Sequence, residues 1–360
     1  MTATPAGHFQ VTYRGDMAER KTLFQRSRLV VLALVLVVAP FAVSTYTLNV
    51  STAILLAVPG ALALSLLTGV SGQISLGNAA FMGIGGTTAG LLGGQEHWPF
   101  LLVLVAAAVL SGLVGVMVGI PSLRVRGLYL IIATLALQFV IQYAIQKIQT
   151  STKAGVSGFL LPTAAVGGWK IVSAKTWYFV LLGFAAVVTM IHINLVRSRI
   201  GRAWAVIRER DIAAEIIGIP VARYKISAFV VSSVIIGIQG ALAGYYLGLV
   251  TYDMFTLSVA ISYVAMIIIG GLGSHRGAIY GAAFVTALPY LLPHLIADLP
   301  GGVAHRLSNS IFNVQTFLYG LLVVLFLLFE PRGIAEITRR LRQYFVLWPF
   351  SKERLAEDEQ

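Results

Sequence analysis

A chain of 360 residues that is 58% hydrophobic and 11% charged, with a mean hydropathy of +0.85, has less than half the charge of a soluble domain, for which about 25% is usual. That balance excludes a water-soluble fold and puts the chain in the membrane class. The net charge of +12 lies in the connections between apolar runs, so it reads as membrane topology and not as a nucleic-acid surface, and the lack of cysteine excludes a disulfide framework and thiol chemistry.

The apolar runs, for example 29–38 and 321–329, do not alternate with polar residues, so they read as helices and not as barrel strands. Runs near or above 18 residues suffice to cross hydrocarbon about 30 Å thick. The expected fold is an all-α, polytopic transmembrane helical bundle of about ten spans. After a polar, basic tail at 1–27 come spans at 28–48, 50–68, 78–94, 99–119, 127–148, 177–196, 225–249, 255–271, 277–296 and 311–330, which make up a permease-like domain at 28–330. A second tail follows at 331–360. The first run is too long for a signal-peptide core and no small-residue cleavage site ends it, so it reads as a retained span.

Alternating these spans from a cytoplasmic N-terminus puts all but five of the 26 basic residues on the cytoplasmic side; Lys147, Lys153, Lys170, Lys175 and Arg306 remain outside. The positive-inside rule thus favours an even number of spans with both termini cytoplasmic. Two connections are long enough for structure of their own. The outer one, 149–176, is rich in Gly, Ser and Thr. The inner one, 197–224, is charged and has helical periodicity, with Ala203, Ile207, Ala214 and Ile217 on one face and Pro220 near its end.

Some chemistry is absent from the sequence. The spans hold almost no ionisable residues, which argues against a proton relay. The six His residues are scattered without metal-ligand spacing. There is no nucleophile elbow and no phosphate-binding loop, so any ATP that drives this protein must be bound, with its Mg, by another chain. The chain is not expected to be an enzyme and needs no cofactor of its own.

Three stretches stand out. Residues 69–94 read GVSGQISLGNAAFMGIGGTTAGLLGG. Glycine lets backbone unwind or approach another helix, and irregular backbone at membrane depth survives only where it is buried or lines a cavity. The stretch is either a tight helix contact or a broken segment beside a transport path, with Gln73, Ser75 and Asn78 offering hydrogen bonds to a polar solute. Residues 199–220, RIGRAWAVIRERDIAAEIIGIP, add Glu209, Asp211 and Glu215 to the Lys and Arg that topology alone would need, and read as a docking surface for a soluble partner. Residues 267–281, IIIGGLGSHRGAIYG, form a Gly-rich hairpin that could shape the inner mouth of a path.

These motifs carry a resemblance. GQISLGNAAFMGIGG, RGLYLIIATLALQFV, the stretch from Gly201 through the following helix, MIIIGGLGSHRGAIYGAAF and FEPRGI resemble, in order over about residues 50–335, the conserved segments of the branched-chain amino acid (Liv-type) ABC permeases, M-type subunit. The chain departs at Arg276-Gly277-Ala278, where the family often has an apolar residue and then Gly-Pro, and at Asn78, where it often has His. The resemblance implies a subunit of the bacterial plasma (inner) membrane that pairs with a homologous permease. Two ABC ATPase subunits would bind beneath and an extracytoplasmic solute-binding protein above, in a setting of membrane lipid and without nucleic acid. Arg202, Arg208, Glu209, Asp211, Ala213, Ala214 and Gly218 would couple to the ATPase. Gln73, Ser75, Asn78, Thr134, Gln138, Gly271 and Gly273 would lie along the translocation path for branched-chain amino acids or related small polar solutes. A stand-alone transporter or channel, and an integral membrane enzyme, are the rival readings; the first would need ion-coordinating residues or a filter and would leave 199–220 without a partner, and the second would need a constellation of His, Asp, Glu or Cys near the interface that the sequence does not show.

Overall fold

The computed structural model describes residues 23–125, 127–152 and 154–297, together with residues 317, 320, 321, 324, 325, 328, 333–337 and 340. Helix α1 (Leu23–Ala42) is followed closely by α2 (Thr45–Leu64). Ser44 separates them: its backbone is extended and its Oγ accepts a hydrogen bond from the Thr47 amide. A serine cap satisfies a helix-end amide that hydropathy does not register, so the break falls before 45 and not near the expected 49.

Helix α2 widens into π-helical turns over Ser65–Val70. Residues 71–77 are irregular, and α3 starts only at Asn78 (Asn78–Thr88), widening again over Ala89–Gln95. Next come α4 (Phe100–Gly119) with a 3-10 turn at Pro121–Leu123, then α5 (Leu128–Ser151). The outer connection forms β1 (Phe159–Leu160), β2 (Ala165–Val166) and β3 (Trp169–Lys170). Helix α6 (Ala174–Arg197) leads into α7 (Arg199–Glu209) and α8 (Asp211–Ile216). The long α9 (Val221–Leu247), β4 (Leu249–Val250), a 3-10 turn at Tyr252–Phe255, α10 (Leu257–Gly270) and α11 (His275–Ala297) follow. The strands form two antiparallel pairs, β1 with β4 (Phe159 opposite Val250) and β2 with β3 (Val166 opposite Trp169).

Among the described residues six helical stretches are long and apolar enough to cross a bilayer: Thr45–Val70, Phe100–Leu123, Leu128–Ser151, Ala174–Arg197, Val221–Leu247 and Tyr252–Gly270. Helices α1, α3 and α11 coincide with three more of the ten expected spans. The expected span 311–330 and the tails 1–27 and 331–360 fall largely outside the described residues.

The Thr45–Val70 and Val221–Leu247 stretches are the most enclosed, at 72% and 67% buried against 33%, 28% and 22% for the spans of α4, α5 and α6. Helix α9 is therefore the axis, with α2, α3 and α4 packed along it. Small residues permit this. A Cβ on Gly85 of α3 would overlap the Gly237 backbone, and one on Gly237 would overlap the Ser111 side chain of α4. Close backbone approach of this kind replaces the missing hydrophobic drive between helices in lipid.

Candidate functional site

The Gly-rich stretch is a broken span, and its backbone is satisfied from outside. The Leu76 N–H donates to Thr134 Oγ1 at 3.0 Å, and the Ala80 N–H donates to Gln138 Oε1 at 2.6 Å. The Gln138 Nε2 in turn donates to the Phe255 carbonyl at 2.8 Å. Gln138 lies near the middle of the 24-residue α5 and is fully buried. At that depth no water can satisfy a helix end, so one glutamine binds the start of α3 and the lead-in to α10 together. Replacing it with leucine leaves an amide and a carbonyl unpaired, at about 1–3 kcal/mol each. We expect Gln138→Leu to lower the thermal midpoint of the detergent-solubilised protein by several degrees; an unchanged midpoint would remove this bracing role.

The other polar residues of the stretch divide between two situations. Gln73 is buried and fully engaged: its Nε2 donates to Ser71 Oγ at 3.1 Å and to the Lys225 carbonyl at 3.2 Å, and its Oε1 accepts from Ser122 Oγ at 3.3 Å. Ser75 Oγ accepts from the Gly77 N–H at 3.2 Å. Asn78 is different. It is 1% exposed, stands at the first turn of α3, and neither its Oδ1 nor its Nδ2 has a hydrogen-bond partner. An unpaired buried amide is costly and is retained where a second state or a ligand supplies the partner.

The segment 199–220 lies against the near end of this broken span. It is two helices where one was expected. Arg210 is extended (φ −154°, ψ 113°) and ends α7, and the chain restarts at Asp211. One face turns inward: Ile207, Ala214 and Val221 pack into a common cluster, and Trp204 is buried with its indole N–H donating to the Tyr224 carbonyl at 2.8 Å. The other face presents Glu209, Ala213 and Gly218, with Ile212, Ile216 and Ile217 exposed at 66%, 80% and 66%; Ile217, expected on the face of Ile207 and Ala214, falls outside because the second helix ends at Ile216. Contiguous exposed apolar side chains beside charges mark an interaction surface. Arg202 is also exposed and reaches back to the Arg197 carbonyl.

Three of the candidate coupling residues are engaged within the fold: Ala214, buried in that cluster, Asp211, and Arg208, which stays exposed but turns its guanidinium back onto the backbone. Asp211 pairs with Lys225 Nζ at 2.5 Å, both side chains nearly buried. Removing one partner of such a pair leaves an uncompensated charge, so the joint between α8 and α9 is fixed. Arg208 donates from Nη1 to the carbonyl of Gly69, the penultimate residue of the π-helical turns that end α2. Gly69 also touches Gly273 backbone to backbone, leaving no room for a Cβ. Gly271 and Gly273 both have positive φ, 114° and 76°, which only glycine adopts without strain. Three motifs far apart in sequence thus meet at one point: the end of the broken span, the coupling segment and the turn between α10 and α11. An open cleft of about 560 Å³ beside it is lined by Ser71, Gln73, Ser122, Arg208, Asp211 and Lys225.

Lys225 and Ser122 were not singled out by sequence. Lys225 had been counted only as a topological charge, and no short-range spacing pairs it with Asp211. Among the described residues no group of His, Cys, Asp or Glu is placed to hold a metal.

Comparison with known proteins identifies relatives of this chain. The sequence profile of the family described as branched-chain amino acid transport system / permease component matches residues 45–329. The chain is 27% identical over 341 residues to the high-affinity branched-chain amino acid transport system permease protein LivM of Escherichia coli (strain K12), covering 88% of this chain and 76% of that one. The LivM protein of Salmonella typhimurium (strain LT2) gives the same identity and coverage. A probable branched-chain amino acid transport permease protein LivM of Methanocaldococcus jannaschii is 23% identical over 241 residues, covering 65% of this chain and 67% of its own.

Proposed function

Because the chain belongs to the family of branched-chain amino acid transport system permease components and is thereby the permease subunit of an ABC importer, we propose that it carries branched-chain amino acids or closely related small polar solutes. It does so paired with a second, homologous permease in the bacterial plasma membrane. Ten spans with both termini cytoplasmic suit the charge distribution. Two separate ABC ATPase subunits bind ATP and Mg and hydrolyse the nucleotide, and an extracytoplasmic solute-binding protein delivers the cargo.

The observation that carries this reading is the contact of Arg208 with Gly69. Segment 199–220 offers its exposed isoleucines, Glu209 and Gly218 to the ATPase. Its inner face is attached through Arg208 and the Asp211–Lys225 pair to the broken span and to α9. Movement of a docked ATPase therefore reaches residues 69–78 without passing through a flexible loop. Alternating access needs such a two-state element, biased by nucleotide at one end and by solute at the other. Asn78 is buried and unpaired, and a state that opens the path beside it would free its amide to bond a passing solute. Tight binding is not wanted in a path, and a single neutral amide suits that.

Docking is tested by exchanging the charges, Glu209→Lys with Arg210→Glu, and separately by Gly218→Val, which forces a branched side chain onto a φ of 82°. Both variants should insert normally yet lose copurifying ATPase and ATP-driven uptake, by about tenfold or more if the surface contributes 1.4 kcal/mol. Unchanged uptake in both would remove the docking assignment.

A further inference from the structure

We propose that the β2–β3 hairpin, at the end of the bundle opposite the coupling segment, rests in the headgroup layer of the bilayer and takes anionic phospholipid there. The hairpin is rigidly mounted. The Ile171 N–H donates to the Ala164 carbonyl at 2.8 Å, and both residues are buried in a cluster with Phe100 of α4, Trp177 of α6 and Tyr245 of α9. Gly167 and Gly168 form the turn with φ of 57° and 90°, the positive values that a two-residue type I′ hairpin requires.

So mounted, it presents apolar and basic groups outward. Trp169 is 84% exposed at the tip, and Val172 is 71% exposed. Lys170 beside them is exposed. Lys175, in the first turn of α6, lies with Nζ 5.1 Å from the ring of Phe41 at the end of α1. The connection 149–176 holds no Asp or Glu. Nothing among the described residues covers the tip, and Trp169 and Val172 with lysines at their edge have the apolar centre and polar rim of an interaction or membrane site.

Lipid is the occupant that the setting favours. The hairpin packs against α4 and leads into α6, the spans whose windows are only 33% and 22% buried. Beside α6, helix α1 turns Val31, Leu34, Val38 and Phe41 outward. The surface running from the tip along these helices is thus apolar, with lysines at its rim. Tryptophan above an apolar belt, flanked by Lys, is the arrangement that anchors a protein at the bilayer interface, and the lysines add attraction for anionic headgroups.

The test uses the full-length chain in nanodiscs, with Trp169→Phe as the reference whose subtraction isolates this indole from the other Trp residues. Brominated phosphatidylglycerol and brominated phosphatidylcholine serve as quenchers, each with bromine at a shallow or a deep acyl position. We expect shallow bromine to quench Trp169 emission about twofold or more, as suits insertion of about 5–10 Å, and phosphatidylglycerol to exceed phosphatidylcholine. Lys170→Glu with Lys175→Glu should abolish that preference. A Trp169 signal unaffected by either lipid yet quenched by aqueous acrylamide would overturn the proposal. So would protection that appears only on addition of the solute-binding protein, which would make the tip a protein contact. A phosphatidylglycerol preference that survives loss of both lysines would overturn the charge recognition.

Discussion

Replacing Arg208 with alanine should separate ATP hydrolysis from transport. The assembled transporter should still form, because Glu209, Gly218 and the exposed isoleucines of the docking face are kept. Hydrolysis should continue while uptake falls about ten- to a hundredfold. The magnitude follows from the bond lost: a hydrogen bond from a charged donor contributes about 1.5–3 kcal/mol, and each 1.4 kcal/mol is a factor of ten. The Gly69 carbonyl lies in the last π turn of its helix, where the helix no longer supplies a following amide. Arg208→Lys keeps the charge and a donor and should retain part of the uptake. Measuring ATPase activity and uptake on one proteoliposome preparation distinguishes this outcome from that of the Glu209 and Arg210 exchange, which should lose the ATPase altogether. If Arg208→Ala lost its ATPase in the same way, Arg208 would be a docking residue and the contact with Gly69 incidental.

The second large effect is expected at the glycine contact. A Cβ on Gly69 would collide with the Gly273 backbone, and any side chain on Gly273 must also adopt a φ of 76°. Backbone cannot yield as a flexible side chain can, so overpacking here should cost at the upper end of the usual range of about 1–3 kcal/mol. Gly69→Val and Gly273→Val should each lower the thermal midpoint and abolish uptake. The double variant should be little worse than either single one, because both break the same contact. Additive losses would mean that the two glycines serve separate purposes.

Much of this architecture is legible in the sequence because lipid makes simple demands. Long apolar runs must be helices, so the ends of α4, α5 and α6 fall within a few residues of where hydropathy puts them. Glycine density marks the broken span, since only a residue without Cβ allows both irregular backbone and the contact with Gly273. What hydropathy misses are the features set by single side chains. The Ser44 cap moves the first break, and the extended Arg210 divides the coupling segment in two. Thr134 and Gln138 are visible as polar residues in an apolar span, which made them candidates for the path. Their hydrogen bonds to Leu76, Ala80 and Phe255 show that they also hold the broken backbone. Those partners lie 58 and 117 residues away, and no local pattern encodes them. Arg208 and Asp211 illustrate the same gap: their charge and helical position suggest an outward contact, whereas the fold offers each a buried partner.

The central proposal is that this chain is one permease of an assembly moved by separate ATPases. The direct measurement is purification of the tagged, full-length protein from its native membrane in mild detergent, with identification of what accompanies it. The expected result is a second, similar permease and a pair of ABC ATPases in fixed stoichiometry, with the ATPases lost from the Glu209 and Arg210 exchange variant. Recovery of this chain alone, repeatedly and from several detergents, would contradict the account. It would point to a self-sufficient transporter whose exposed Ile212, Ile216 and Ile217 have no partner.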